Sequence, residues 1–258
     1  MTHREAKPDL FLIHGWGLGN AAWGDALPAL RQRCNVHLQA LPGYGAPQND
    51  SGSGPYPSFA ETAAAFASTV PEGAFVCGWS LGAMLALQMA ALDTQRLAGL
   101  ILVGATPSFT QRTDWRPAQP PALLDTFHNA VASDAAGTLQ RFVALLNQGD
   151  AHARPIGRAL NRQLQSTPLP GTETLLGSLG WLRDVDLRES IPTVRTPTLL
   201  IHGENDPLMP LAAARWLNEA LPDAQLKTIP GAAHAPFLND PERFSNLVYE
   251  YCHAAARH

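Results

Sequence analysis

One serine, one aspartate and one histidine in this sequence have the types and positions of a nucleophilic catalyst. Ser80 lies in Gly-Trp-Ser-Leu-Gly at 78–82, between an apolar run at 74–77 and a helical run at 83–87. A Gly-x-Ser-x-Gly turn between a strand and a helix strains the serine backbone and exposes its hydroxyl beside the helix N-terminus. We therefore predict that Ser80 is a nucleophile.

A serine nucleophile needs a base that removes its proton and an acid that orients the base. Asp206 follows a predicted strand at 198–202, and His234 follows another at 225–229. The carboxyl ends of parallel strands meet at one edge of a sheet, so both side chains are expected near Ser80. The sequence thus predicts a Ser80, Asp206 and His234 triad.

Other readings of these residues remain open at this point. Asp206 precedes a proline and is also typical of a turn, His234 is also typical of a loop, and Glu204 is a rival acid. The order Ser, Asp, His, with each residue at a strand end, favours the catalytic interpretation. His14 and His202 also follow strands, and we expect them to hold neighbouring loops by hydrogen bonds.

Acyl transfer also needs N–H donors for the oxyanion of its tetrahedral intermediate. The backbone N–H of Leu81, directly after the nucleophile, is one predicted donor. The second is the N–H of Trp16, in His-Gly-Trp-Gly at 14–17 after the first strand. The Trp16 indole is predicted to wall the acyl pocket, with simple core packing as the alternative.

These residues depend on alternating strands and helices, which predict a mostly parallel sheet covered by helices on both faces. Short apolar runs predict the strands and amphipathic spacing predicts the helices. Strands are predicted at 10–13, 36–39, 74–78, 97–103, 198–202 and 225–229, with helices at 22–33, 58–69, 81–92, 210–220 and from 241.

The alternation stops between 107 and 190, where no strand pattern occurs. Apolar residues spaced by three, four and seven predict helices there instead. We therefore predict a helical lid insertion at 107–190, set into an α/β core formed by 1–106 and 191–258. The four helices are predicted near 123–131, 139–146, 152–165 and 175–182.

Composition narrows the class of protein. The 258 residues are 45% hydrophobic and 16% charged, with a formal net charge of −4, which is unlike a nucleic-acid-binding protein. No apolar run reaches 18 residues, so no membrane span is expected. Residues 1–8 lack the apolar centre of a signal peptide, so a cytoplasmic protein is expected.

Cofactor signatures are also missing from the sequence. Cys34, Cys77 and Cys252 are odd in number and widely spaced, which indicates neither a disulfide framework nor a zinc site. The glycines after the first strand do not have dinucleotide-binding spacing, and Trp16 would crowd a pyrophosphate. We expect neither a cofactor nor a metal.

The motifs together resemble the α/β-hydrolase superfamily. More narrowly, the chain resembles the esterases that cleave the methyl ester of pimeloyl-[acyl-carrier protein] in biotin synthesis. The resemblance implies the α/β-hydrolase fold, here with about six parallel strands and with the usual N-terminal antiparallel pair absent or reduced. It rests on the residues at 14–17, 41–45, 78–82, 141–145, 185–188, 203–206 and 232–237.

This resemblance implies a reaction. Ser80 would attack the ester carbonyl, His234 would protonate the leaving methanol, and water activated by His234 would release the acid. A broad short-chain carboxylesterase or a carbon–carbon bond hydrolase would use the same triad. An alternative that is not an enzyme is a binding protein of this fold. The presence of Ser80, Asp206 and His234 argues against it, because a protein that only binds a ligand need not keep all three.

The resemblance also implies binding residues. The substrate would contact Trp16, Ser80, Leu81, His234 and one stretch of the insertion: Phe142, Val143, Ala144, Leu145 and Leu146. The acyl carrier protein would meet arginines on the insertion, three of them spaced by four along one helix face, with a solvated face as the alternative. These arginines are Arg141, Arg154, Arg158 and Arg162.

We also expect a monomeric protein that hydrolyses small esters.

Overall fold

The computed structural model describes residues 7–45, 55–93 and 96–255. Six strands form one sheet in the order β2-β1-β3-β4-β5-β6, and all neighbouring strands run parallel. The predicted sheet of about six parallel strands is confirmed. The strands are β1 Asp9–Ile13, β2 Asn35–Gln39, β3 Phe75–Trp79, β4 Gly99–Val103, β5 Thr198–Gly203 and β6 Ala224–Ile229.

Ten helices accompany the sheet within the described ranges. They are α1 Ala26–Arg33, α2 Phe59–Thr69, α3 Leu81–Leu92, α4 Pro121–Ser133, α5 Ala135–Leu146, α6 Ala153–Ser166, α7 Thr172–Asp184, α8 Leu211–Ala220, α9 Pro236–Asn239 and α10 Pro241–Ala255. Every residue of β3, β4 and β5 is buried, because both faces of the central sheet are covered. The edge strands β2 and β6 carry exposed polar residues instead.

The first predicted helix, at 22–33, was wrong at its start. A short 3-10 turn at Asn20–Trp23 comes first, and α1 begins only at Ala26. Gly24 separates the two with φ +35°, a conformation that breaks an α-helix. The predicted absence of a signal peptide concerns residues 1–8, and of these only 7 and 8 belong to the described part of the chain.

Helices α4 to α7 lie between β4 and β5 in the chain, within the stretch 107–190, here called the helical insertion. Its two ends meet: Leu187 N–H donates to Pro107 O at 2.9 Å, and the Arg188 guanidinium pairs with Asp114 at 3.0 Å. The start and the end of the insertion therefore lie close together, which is compatible with the direct pairing of β4 with β5 in the sheet. None of the described helices has both the length and the hydropathy that crossing a bilayer requires.

Close approach of α3 to β1 depends on Gly82. A Cβ at this position would collide with the backbone carbonyl of Ile13 and lie 2.7 Å from His14 O. We expect Gly82→Ala to lower the free energy of unfolding by about 3 kcal/mol, because rigid backbone cannot yield to the added methyl group. Urea unfolding measures the loss.

Gly180→Ala in α7 is the matched control, since nothing lies within 4 Å of its added Cβ. It should stabilise the protein by up to about 1 kcal/mol through helix propensity. Equal effects of the two substitutions would contradict the packing explanation for Gly82.

Candidate active site

Ser80 occupies a strained turn at the carboxyl end of β3. It has φ 58° and ψ −118°, and no other non-glycine residue in the described chain has a positive φ. Its N–H donates to Val103 O at 2.9 Å on the neighbouring strand, and α3 begins at the next residue. The flanking glycine Gly78 leaves no room for a Cβ, which would strike the backbone of Gly82. This backbone is typical of a nucleophilic serine at a helix N-terminus, although Ser80 is itself buried, with 5% of its surface exposed.

Asp206 and His234 form a buried pair in two loops that follow β5 and β6. Asp206 Oδ2 lies 2.7 Å from His234 Nδ1. The other carboxylate oxygen accepts the N–H groups of Leu208 and Met209 at 2.9 and 2.8 Å, which fixes its orientation. Burial acts to raise the pKa of Asp206, but the electrostatic attraction and hydrogen bond of His234, with smaller contributions from His202 and the Met209 N–H, hold the pKa below its usual value. Asp206 can therefore stabilise an imidazolium at His234.

Trp79, directly before Ser80, connects the elbow to this pair. Its indole N–H donates to His234 O at 2.8 Å, and the two rings lie 5.6 Å apart. A Cβ on Gly104, the residue after β4, would lie 3.1 Å from His234 Nδ1. His234 Nε2 is buried and has no hydrogen-bond partner among the described residues, Ser80 included. Such bonds are often long in free enzymes, and this nitrogen is available to take a proton.

The loop after β1 lies against the serine. A Cβ on Gly15 would lie 3.0 Å from Ser80 Cβ. In the described part of the chain, neither the Trp16 nor the Leu81 backbone N–H donates to a protein acceptor. The loop is fixed by the Trp16 indole N–H, which donates to Leu175 O of α7 at 3.0 Å. The structure thus brings the two predicted oxyanion donors to the strand ends that carry Ser80.

The remaining polar candidates have other contacts. His14 Nε2 accepts the Leu41 N–H at 3.1 Å, and burial lowers the pKa of His14 to about 4. His202 Nε2 donates to Met209 O at 2.7 Å. Both histidines therefore hold loops, as expected. The rival acid Glu204 is exposed, and its carboxylate accepts the N–H of Gly231 rather than contacting His234.

An apolar cavity of about 20 Å³ lies beside the Trp16 indole. Phe127 and Phe142 meet this indole edge to face, with ring centroids 5.9 and 4.9 Å away. Sequence reasoning found Trp16 and Phe142 but missed the rest of the lining, because those residues come from four separate segments. The lining residues are Trp16, Phe109, Leu123, Leu124, Phe127, Phe142, Leu179, Leu182 and Leu208.

The stretch 142–146 does not present one face to this cavity. Of its five residues only Phe142 lines the cavity. Val143 and Leu146 are buried, Leu145 is half-buried and Ala144 is exposed. Successive helical residues rotate by about 100°, so five in a row cannot all face one ligand.

The arginines of α6 lie on an open surface. Arg154, Arg158 and Arg162 are exposed and make no ion pair with any described residue. Ile156 and Leu160 on the opposite side are buried. The other predicted arginine, Arg141, is exposed on α5 and donates to Thr138 Oγ1 at 2.8 Å. Within the described ranges, no three His, Cys, Asp or Glu side chains are grouped so as to hold a metal ion.

The parallel sheet, the elbow and the loops at its carboxyl edge define the class of α/β-hydrolases. The sequence profile of the alpha/beta hydrolase family matches residues 10–247, and the chain belongs to this family.

Relatives agree with this assignment, and a solved structure shows the same fold. The chain is 39% identical to the pimeloyl-[acyl-carrier protein] methyl ester esterase of Aromatoleum aromaticum, over 94% of this chain and 97% of the relative. It is 37% identical to the protein of the same name from Aeromonas hydrophila, over 95% of each chain. The fold also matches an esterase from Exiguobacterium antarcticum, with TM-score 0.82 and 22% identity over 96% of this chain and 92% of that one.

Asp206→Asn should reduce kcat by up to about 10⁴-fold, because an amide no longer holds the His234 tautomer or stabilises its charge. Steady-state hydrolysis of p-nitrophenyl butyrate measures the change. Glu204→Gln is the control, and it should leave kcat nearly unchanged. A larger loss from Glu204→Gln than from Asp206→Asn would reassign the acid.

Proposed function

We propose that this protein is a serine carboxylesterase that hydrolyses the methyl ester of pimeloyl-[acyl-carrier protein] and releases methanol, in biotin synthesis. The observation that carries the proposal is the buried Asp206–His234 pair, with 2.7 Å between Oδ2 and Nδ1, beside the strained turn of Ser80. Relatives of 39% and 37% identity that carry the name of this activity support the substrate. A cytoplasmic location and a monomeric state remain predictions.

In the proposed mechanism, His234 Nε2 takes the proton of the Ser80 hydroxyl as its oxygen attacks the ester carbonyl. The oxyanion receives the N–H groups of Trp16 and Leu81. Collapse of this intermediate expels methanol, which carries the proton from His234. Water then attacks the acyl-enzyme with His234 as base, and the free carboxylate leaves as Ser80 is reprotonated.

The apolar cavity suits the methylene chain of the acyl group. Its aromatic and aliphatic lining can bury methylene groups and requires no polar partner from them. The cavity of about 20 Å³ is smaller than a pimeloyl chain, so we infer that the helical insertion (107–190) acts as a lid that moves to admit it. The core on either side, 1–106 and 191–258, would hold the triad.

The exposed arginines of α6 support a carrier-protein partner. Acyl carrier proteins are acidic, and Arg154, Arg158 and Arg162 present three positive charges without ion-pair partners among the described residues. Because the whole chain has a net charge of −4, this local excess of positive charge would orient the carrier toward the insertion.

Ser80→Ala should abolish methanol release from the carrier-bound methyl ester, since no other group replaces the nucleophile. Wild-type protein should produce free pimeloyl-[acyl-carrier protein], which mass spectrometry of the intact carrier detects as loss of the methyl group. The wild-type gene should also restore growth of a biotin-requiring strain that lacks this esterase, and the Ser80→Ala gene should not. Hydrolysis of small esters without the carrier-bound one would favour a broad carboxylesterase.

Replacing Arg154 and Arg158 together with Ala should lower kcat/KM on the carrier-bound ester about tenfold, with the largest loss at low salt. Hydrolysis of p-nitrophenyl butyrate should stay unchanged, because that substrate makes no contact with α6. The matched control replaces Arg195 and Arg215, which are exposed outside the insertion. Equal losses on both substrates would reject a docking role for α6.

A further inference from the structure

Asp150 is a buried carboxylate in the turn between α5 and α6. It is 8% exposed, although aspartate is seldom buried without a charged partner. No described Lys, Arg or His side chain pairs with it. Its charge is compensated by hydrogen-bond donors alone, so the contacts of those donors indicate why a carboxylate is buried there.

Three donors converge on this carboxylate. Oδ1 accepts the His152 N–H at 2.7 Å and the Asn239 Nδ2–H at 2.8 Å. Oδ2 accepts the Ala233 N–H at 2.8 Å. His152 lies at the start of α6 and Asn239 ends α9, but Ala233 is the residue directly before His234. One side chain thus connects the helical insertion to the loop that carries the proposed base and to the end of the helix that follows it.

Backbone hydrogen bonds reinforce this junction. The N–H of His234 donates to Leu146 O, the last residue of α5, at 3.2 Å. The N–H of Ala151 donates to Gly231 O at 2.8 Å. Asn205, next to Asp206, donates from Nδ2 to Gly149 O at 2.9 Å. The turn at 146–151 therefore holds the loops of both Asp206 and His234.

The His234 residue is consequently fixed from three directions. The core holds its carbonyl through the Trp79 indole, Asp206 holds its ring, and the insertion holds its N–H together with that of Ala233. We propose that Asp150 is a positioning residue that keeps the His234 loop in register with Ser80 and couples this loop to α6. The proposal rests on the proposed function only in taking His234 as the base.

The alternative is that Asp150 only stabilises the start of α6. Its bond to the His152 N–H and its negative charge near that helix N-terminus would suffice for such a role. The two roles differ in two contacts that contribute nothing to α6: Oδ2 with the Ala233 N–H, and Oδ1 with the Asn239 side chain.

Asp150→Asn keeps the size of the side chain and its acceptor for the His152 N–H, but it removes the negative charge, so any loss of α6 stability is measured separately by thermal unfolding. Its amide oxygen can still accept from His152 and Asn239, whereas its NH2 group then faces the Ala233 N–H, donor against donor. The matched control is Asp134→Ala, which removes the cap of α5, a hydrogen bond to the Gly137 N–H, without touching the His234 loop.

The first readout is the second-order rate at which a p-nitrophenyl alkylphosphonate phosphonylates Ser80. This reaction forms the Ser80 Oγ–P bond, releases p-nitrophenolate and transfers the hydroxyl proton to His234, so it needs the triad but no particular substrate. We expect Asp150→Asn to slow it about 10- to 100-fold, since small misplacement of a catalytic group has effects of this size. With p-nitrophenyl butyrate, kcat should fall likewise and KM should change less than about twofold.

The second readout is the low-field proton resonance of His234 Nδ1–H in its hydrogen bond to Asp206, followed by NMR without any reaction. It should broaden or move upfield in Asp150→Asn and stay unchanged in Asp134→Ala. Thermal unfolding of both variants shows how much each substitution destabilises the fold.

The outcomes distinguish the two proposals. Wild-type phosphonylation rate and resonance in Asp150→Asn would overturn the positioning role, and so would equal losses in Asp134→Ala. If the wild type reacts with the phosphonate but leaves the carrier-bound ester intact, the substrate assignment fails and the positioning role stands. If the wild type does not react with the phosphonate at all, the triad assignment fails and the positioning role fails with it.

Discussion

The left-handed backbone of Ser80 constrains the structure around it. A non-glycine residue at φ 58° persists only where surrounding contacts hold it, here the hydrogen bond to Val103 on one side and the start of α3 on the other. The turn is so tight that Gly78 approaches the backbone of Gly82, and Gly82 in turn approaches β1. The turn at Ser80 is thus accompanied by close packing of β3, α3 and the loop after β1.

The same sheet edge supplies the remaining chemistry because its strands are parallel and in register. β5 pairs with β4 on one side and with β6 on the other, so the loops after β5 and β6 leave the sheet side by side. Burial of the Asp206–His234 pair then strengthens its electrostatic interaction, since little water screens it. The desolvation penalty on the acid is offset because two backbone N–H groups and the imidazole donate hydrogen bonds to it.

The helical insertion contacts this machinery at two points. On one side Leu175 of α7 accepts the Trp16 indole N–H beside the proposed oxyanion donor. On the other side the turn between α5 and α6 holds the His234 loop through Asp150 and Leu146. A movement that admits substrate would therefore act on the donor loop and on the base loop together, which provides a physical route from the α6 surface to the catalytic centre.

Local spacing in the sequence was enough to predict the six parallel strands, the elbow at Ser80 and the positions of Asp206 and His234 after their strands. Each depends on neighbours within a few residues and on the rule that parallel strands end at one edge. Only the tertiary structure decided that Phe142 alone of 142–146 lines the cavity, that Phe109 and Leu208 complete it, and that Asp150 meets Ala233. These contacts join residues far apart in the chain, and their geometry depends on how whole helices pack, which the spacing of residues within one segment does not determine.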